Sequence, residues 1–267
     1  MATADLAAIL KRIGLLTEAS ATALERGDTD QAALLQSEAE AAWVAARRLG
    51  QLHLRHTERP TLSKMPSVRE RAVSAVTELN VSCSPRLIAS YSEARTGEPF
   101  DLRAIASIRR DEHRSWKSGS TRDTYLVPAL EGPWLVAARG KFVLSHWSLP
   151  QRIIGPLSPR VDHLKVCRRL ADQVDSLERH SSAWLRMREL LADYARSVPN
   201  AMKEPWTPGP DLDLETVRSA VASELKLIQS EDDNWRRTEA ERAARRLSDG
   251  EQLWGGSVPK IVSGSPK

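Results

Sequence analysis

Two consecutive helices are predicted between residues 84 and 119, where the chain reads SPRLIASYSEARTGEPFDLRAIASIRRDEHRSWKSG. The pair Ser84-Pro85 supplies an N-cap and a proline at the first helical position, and Thr96-Gly97 ends this helix. Asp101 is placed to cap the next helix, which is predicted to run from Leu102 to about Trp116. The stretch therefore predicts two short helices in close succession.

The second of these helices carries a concentration of positive charge. Residues 103–122 contain six bases and two acids, so their net charge of +4 equals that of the whole chain. Four of the bases recur at steps of seven, four and three and so share one helical face, namely Arg103, Arg110, Arg114 and Lys117. The apolar residues predicted to face the other way are Leu102, Ile105 and Ile108. Such a helix can pack on a core with one face and present guanidinium groups to guanine edges and phosphates with the other.

A further helix precedes this pair, and short strands follow it. Ser67-Val68-Arg69-Glu70 has the pattern of a capping box and predicts a helix that extends to about Leu79. Strand-like segments follow at 124–130, 134–137 and 142–147. Arg139-Gly140-Lys141 is predicted as the hairpin turn between the last two. Three helices followed by a small antiparallel sheet is the element order of a winged helix.

Residues 67–130 resemble winged helix-turn-helix DNA-binding proteins of the actinobacterial type. The likeness lies in SPRLIA at 84–89 and in LRAIASIRRDE at 102–112. The chain departs from that pattern in the polar linker 80–84 and in an extra predicted strand after the wing. The resemblance implies that the helix 102–116 enters the major groove of DNA. The residues expected to contact DNA are Arg103, Ser107, Arg109, Arg110, His113, Arg114 and Lys117 on that helix, and Arg122, Arg139 and Lys141 on the side of the wing.

Helices are also predicted on both sides of this central module. Heptad spacing with small residues occurs at Leu35, Ala39, Ala42, Ala46 and Leu49, and a second heptad-like stripe runs from Leu164 to Leu191. The predicted organisation is a helical hairpin at 1–56, a linker at 57–66, a winged-helix-like domain at 67–158, a long helix at 159–198, a proline-rich linker at 199–212, a C-terminal helix at 213–247 and a disordered tail at 248–267. The predicted fold class is mainly α, with a central winged-helix domain flanked by the N-terminal hairpin and the long C-terminal helices.

The composition excludes several classes of protein. Of the 267 residues, 41% are hydrophobic, which is enough to bury a core. No apolar run approaches the roughly 18–20 residues that a membrane-spanning helix needs. The two cysteines, Cys83 and Cys167, are too few for a disulfide scaffold or a four-cysteine zinc site. We therefore expect a cytoplasmic protein that has no membrane partner.

No catalytic, metal or cofactor site is predicted. Consecutive helical residues point about 100° apart, so the run Asp111-Glu112-His113 does not converge on one ion, and pairing with neighbouring arginines is favoured. The pairs His53 with His56 and His163 with Cys167 have the spacing of one edge of a metal site, but no further ligands accompany them. The chain also lacks a glycine-rich phosphate loop and a nucleophile elbow. We therefore expect a protein that is not an enzyme and that needs no cofactor.

Two functional hypotheses follow from these patterns. In the first, the chain binds double-stranded DNA through a winged helix, as a transcriptional regulator or an architectural protein. In the second, it is a helical oligomerisation or adaptor protein whose winged-helix-like domain docks on protein, since fold does not fix function. The expected partners are double-stranded DNA together with a second copy of the chain or a helical protein.

Overall fold

The structure is a computed structural model that describes residues 2–26, 28–42, 66–203 and 212–256. The chain divides into two units, residues 1–65 and residues 66–267. The described residues are mainly helical and include a small three-stranded sheet, as the sequence predicts in outline. No helix among them is both long enough and apolar enough to cross a lipid bilayer.

The first unit contains two packed helices. Helix α1 spans Ala2–Glu25 and helix α2 spans residues 29–42 of the described chain, with Asp28 capping α2 through the backbone N–H of Gln31. The two helices approach closely where they carry small residues. The hydroxyl of Ser20 on α1 donates a buried hydrogen bond of 3.1 Å to the carbonyl of Ala32 on α2. Two predictions lie outside the described residues: the end of the heptad stripe at Ala46 and Leu49, and the linker at 57–65.

Three capped helices begin the second unit, and they are α3 (Val68–Leu79), α4 (Pro85–Thr96) and α5 (Leu102–Lys117). Their starts follow from side-chain caps. The hydroxyl of Ser67 accepts from the N–H of Glu70, that of Ser84 accepts from Leu87, and the carboxylate of Asp101 accepts from Arg103. Each cap is a residue whose side chain competes with the backbone for hydrogen bonds. The predicted helix starts are therefore confirmed.

The sheet consists of β1 (Leu126–Glu131), β2 (Val136–Leu144) and β3 (Ile153–Ile154), in the order β2-β1-β3. Strands β1 and β2 are antiparallel, whereas β1 and β3 are parallel. The sheet is therefore mixed, and the prediction of a purely antiparallel sheet is wrong. Cys83, between α3 and α4, extends the sheet with an isolated antiparallel bridge to Phe142 on β2.

The predicted hairpin turn at Arg139-Gly140-Lys141 is wrong. These residues form a bulge inside β2, because Pro128 pairs with Phe142 while Leu130 pairs with Ala137. Gly140 has a φ of 72°, which glycine adopts without strain and which lets the strand bulge outwards. The turn between β1 and β2 lies at residues 132–135 and begins with Gly132-Pro133, a pair of residues that marks turns.

Five further helices complete the described part of this unit: α6 (Leu149–Arg152), α7 (Ser158–Ser176), α8 (Ser182–Ala195), α9 (Leu214–Arg246) and α10 (Asp249–Trp254). The predicted single helix at 159–198 is therefore wrong. Leu177 has an extended backbone, His180 has a φ of 65°, and Ser181 caps a new helix by accepting from the N–H of Trp184. Helix α10 contradicts the predicted disorder from residue 248, whereas residues 257–267 lie outside the described chain.

Both faces of the sheet are buried. On one face Leu126, Phe142 and Leu144 join the main core, to which α3, α4, α5, α7, α8 and α9 also contribute. On the other face Val127, Ala129 and Val143 pack against half-buried side chains that include Trp116 and Trp254. Burial on two faces explains why β1 is a nearly continuous apolar run instead of an alternating one.

A buried ion cluster joins α7, α9 and the segment after α3. Arg236 donates from Nη2 to Asp162 at 2.8 Å and from Nε to Asp232 at 2.7 Å. The hydroxyl of Ser82 donates to Asp162, and that of Ser158 donates to Asp232, both at 2.5 Å. All five side chains are buried. Each charge is therefore paired and hydrogen-bonded, as a buried charge must be to be tolerated.

The close packing at Gly155 gives a testable prediction. A Cβ atom at this position would lie 2.4 Å from Cε3 of Trp235, so Gly155→Ala forces the indole ring to move. We expect the free energy of unfolding to fall by about 1–3 kcal/mol, as for other overpacked cores. Chemical denaturation followed by circular dichroism measures this change.

The matched control is Gly132→Ala, because a Cβ atom at residue 132 meets no atom within 4 Å. Equal stability of the two variants would contradict the prediction.

Candidate nucleic-acid interface

Helix α5 is anchored along one side. Ile105, Ile108 and Glu112 are its buried residues, and they recur at the three- and four-residue steps of one helical face. Leu102 was predicted to belong to this face, but it lies in the first turn and is 48% exposed. The apolar anchor of α5 therefore begins one turn later than the sequence pattern predicts.

Glu112 fixes α5 to its neighbours. Its carboxylate accepts from Nε of Arg69 at 2.6 Å, from Nη1 of Arg122 at 2.7 Å and from the backbone N–H of Leu126 at 2.9 Å. Arg69 also donates to the carbonyl of Thr124 at 2.8 Å. Glu112 thus pairs with arginines, but with Arg69 of α3 and Arg122 beyond α5 instead of the predicted neighbours on its own helix; the predicted neighbour pairing is found for Asp111 and Arg114. Arg122, which was predicted to contact DNA, donates one hydrogen bond from Nη1 to this carboxylate.

The opposite side of α5 is a basic face. We use this name for the exposed residues Arg103, Ser107, Arg110, Arg114 and Lys117. On an ideal helix these five positions fall within an arc of about 80°. Arg114 forms an exposed ion pair with Asp111 at 3.4 Å. The side chains of Arg103, Arg110 and Lys117 have no ion-pair partner among the described residues.

The two remaining predicted contacts on α5, Arg109 and His113, lie outside the basic face. Both are half-buried. The ring of His113 lies 4.7 Å from that of Trp254 and 6.4 Å from that of Trp116, centroid to centroid. Burial, together with the charges of Lys117 and Arg109, lowers the pKa of His113. His113 therefore belongs to an aromatic cluster that the sequence did not reveal, because Trp254 comes from the predicted disordered tail.

The predicted wing residues lie on the bulge of β2, where Arg139 is exposed and Lys141 is half-buried. The hairpin turn is only partly covered, because Trp134 is 63% exposed. The guanidinium of Arg246 lies 4.8 Å from the ring of Trp134, and the N–H of Gly256 donates to the carbonyl of Leu135 at 3.2 Å. The C-terminal segment therefore contacts this turn at two points, while Pro133 and Trp134 stay exposed.

Neither cysteine has the environment of a nucleophile. Burial raises the pKa of Cys83, and burial raises the pKa of Cys167 to about 12, so both thiols are protonated near neutral pH. His163, near Cys167, is hydrogen-bonded through Nε2 to the hydroxyl of Ser197 at 2.7 Å. Across residues 2–26, 28–42, 66–203 and 212–256, no three His, Cys, Asp or Glu side chains are grouped as metal ligands would be. His53 and His56 lie outside those ranges.

A second group of cations was missed by the sequence interpretation. Lys165, Arg168 and Arg169 lie on α7, and Arg237 faces the same cavity from α9. The signal was present as bases at steps of three and one on a single helix. The sequence alone does not join these residues into one group, because residues 165 and 237 are brought together by tertiary packing.

The basic face and the hydrogen bonds of Glu112 that anchor α5 are observed in the structure of this chain alone. Comparison with protein-family models, with curated proteins and with solved structures gives no match to the chain. Its function is therefore inferred from charge, exposure and helix geometry.

Proposed function

We propose that this chain binds double-stranded DNA by inserting α5 into the major groove, in a transcriptional or architectural role. The proposal treats residues 67–144 as a winged helix. Its support is the element order, in which α3, the Cys83 bridge, α4, α5, β1 and β2 follow one another and the bridge pairs with the last strand. A major groove about 12 Å wide admits one α-helix.

The observation that carries the proposal is the asymmetry of α5. Its buried side is held by Glu112, while Arg103, Arg110, Arg114 and Lys117 project from the opposite side. Arginine can donate two hydrogen bonds to O6 and N7 of guanine, and lysine and arginine neutralise backbone phosphates. A rigidly anchored helix holds these side chains at fixed spacings, which favours specific recognition of DNA over nonspecific electrostatic binding.

The sheet has a secondary part in this proposal. The exposed cations are concentrated on α5, so α5 carries the main contact, while the C-terminal segment touches the hairpin turn at Trp134 and Leu135. The exposed Arg139 and the half-buried Lys141 supply backbone contacts from the bulge of β2. Such phosphate contacts position a protein on DNA but carry no sequence information by themselves.

The experiment is a fluorescence anisotropy titration of the whole chain with a mixed duplex pool at several salt concentrations. We expect Arg110→Ala/Arg114→Ala to weaken binding at least tenfold, since each lost guanidinium contact with a base costs about 1–3 kcal/mol. If both contacts are with phosphates instead, the slope of log affinity against log salt falls by about 1.8.

The matched control removes two charges elsewhere, through Arg179→Ala/Arg245→Ala. Both of these arginines are exposed and lie outside α5. Equal affinity of the wild type and the α5 variant, or equal losses in both variants, would refute the assignment to the basic face.

A protein-docking function is the second candidate, and one observation favours it. In the first unit, Leu15 and Leu34 are 59% and 62% exposed. These side chains favour a helical partner or a second copy of the chain. The stripe from Leu164 to Leu191 gives no such support, because both of these residues are fully buried in the core of the second unit. A stable oligomer without DNA affinity at low salt would favour this candidate.

A further inference from the structure

A cavity of about 410 Å³ lies between α7 and α9. The end of α3 at Asn80 and Val81 forms its third wall, and Pro150 and Gln151 at the start of α6 form the fourth. Its volume falls within the range of cavities that bind small molecules, about 300–1,000 Å³. The cavity is built from the second unit alone and is separate from the basic face of α5.

The lining of this cavity is strongly positive. Five of its residues are bases and two are acids. The bases are Lys165, Arg168, Arg169, Arg236 and Arg237, and the acids are Asp162 and Asp233. This imbalance places a net positive charge at a concave surface, where the surrounding protein reduces screening by water.

The two acids do not neutralise the remaining cations. Asp162 is occupied by buried hydrogen bonds with Arg236 and Ser82. Asp233 lies 3.9 Å from Nζ of Lys165, which is a loose ion pair. Three guanidinium groups therefore face the cavity without an acidic partner among the described residues, and they belong to Arg168, Arg169 and Arg237.

One wall of the cavity is rigid. The guanidinium of Arg236 is buried and is held by Asp162 and Asp232, so it cannot swing away from the lining. Its hydrogen bonds to these carboxylates are donated by Nη2 and Nε, so Nη1 does not take part in either of them. Its charge is balanced by these two carboxylates, so Arg236 keeps this wall in place while Arg168, Arg169 and Arg237 supply the unpaired positive charge.

We propose that this cavity binds a small anion that carries two or more phosphate groups. The planar guanidinium of arginine donates in pairs to phosphate oxygens, and three such groups together with a lysine match a polyphosphate better than a single carboxylate. A concave site of this volume suits one small molecule, whereas a DNA backbone requires an open surface. The inference is independent of the DNA-binding proposal.

Isothermal titration calorimetry of the whole chain with inorganic tripolyphosphate, and separately with ATP, tests this proposal at about 150 mM salt. We expect saturable binding of one molecule per chain. Arg168→Ala/Arg237→Ala should weaken it at least tenfold, since both arginines are charge-assisted donors. Both side chains are exposed, so their loss leaves the fold intact, as circular dichroism will verify.

The matched control is again Arg179→Ala/Arg245→Ala, which removes the same charge outside the cavity and should leave the affinity unchanged. Tighter binding of ATP than of tripolyphosphate would identify a nucleoside polyphosphate as the ligand class, and equal binding would identify the polyphosphate group itself. Absence of saturable binding to either compound would overturn the proposal, as would equal weakening in the control.

A parallel titration with duplex DNA separates the two proposals. We expect Arg168→Ala/Arg237→Ala to bind DNA as the wild type does. A loss of DNA affinity as large as that of Arg110→Ala/Arg114→Ala, without binding of either small anion, would assign these cations to nucleic acid and overturn the small-molecule site.

Discussion

Arg236→Met is expected to lower the free energy of unfolding by about 3–5 kcal/mol, the usual cost of breaking a buried ion pair from one side. Methionine replaces the aliphatic part of arginine but removes the positive charge. Asp162 and Asp232 then remain buried, with hydroxyl donors from Ser82 and Ser158 but with no cation. Chemical denaturation at neutral pH, followed by circular dichroism, measures the change.

The adjacent residue supplies the control for this substitution. Arg237 is exposed on the next position of α9 and has no acidic partner within the described residues, so Arg237→Met should change stability little. The interpretation of the buried ion cluster fails if Arg236→Met is no less stable than Arg237→Met.

Glu112→Gln is expected to have the second-largest effect, a loss of about 2–4 kcal/mol. The carboxylate is 1% exposed and accepts three hydrogen bonds, from Arg69, Arg122 and the backbone of Leu126. Glutamine keeps the shape of the side chain, but its NH2 group replaces an accepting oxygen. This NH2 group cannot accept a hydrogen bond, so at least one of the three N–H donors loses its acceptor. The expected loss is smaller than at Arg236, because the two arginines are 32% and 44% exposed and water solvates them in part.

Asp111→Asn is the control for this second substitution. Asp111 directly precedes Glu112 and also pairs with an arginine. It is 62% exposed, so its ion pair with Arg114 contributes little to the free energy of unfolding. If the two variants unfold at the same denaturant concentration, Glu112 does not anchor α5 in the way described.

Local signals in the sequence were sufficient to predict the helix starts of the central module. Ser67, Ser84 and Asp101 act within three residues of themselves, so their capping roles can be recognised without knowledge of the tertiary structure. The positions of Arg103, Arg110 and Arg114 on one exposed face follow in the same way from helical periodicity.

Features that depend on distant contacts were not predictable. The glycine at residue 140 permits either a turn or a bulge, and the choice is made by the register between β1 and β2. The parallel pairing of β3 with β1 involves two residues, too few to leave a pattern in the sequence. His113 was predicted to face DNA because nothing near it in the sequence reveals Trp254, which packs against it.

Helix α9 determines how the second unit can be dissected. Its first half contributes Val217, Val221 and Leu225 to the main core, while Ala240 and Ala243 in its second half cover Leu130 and Ile153 of the sheet. A fragment that stops at residue 158 would leave two sets of apolar side chains in water and would tend to aggregate. The segment that carries α5 is therefore not an autonomous folding unit, and a truncated chain that fails to bind DNA would report misfolding rather than the absence of a binding surface.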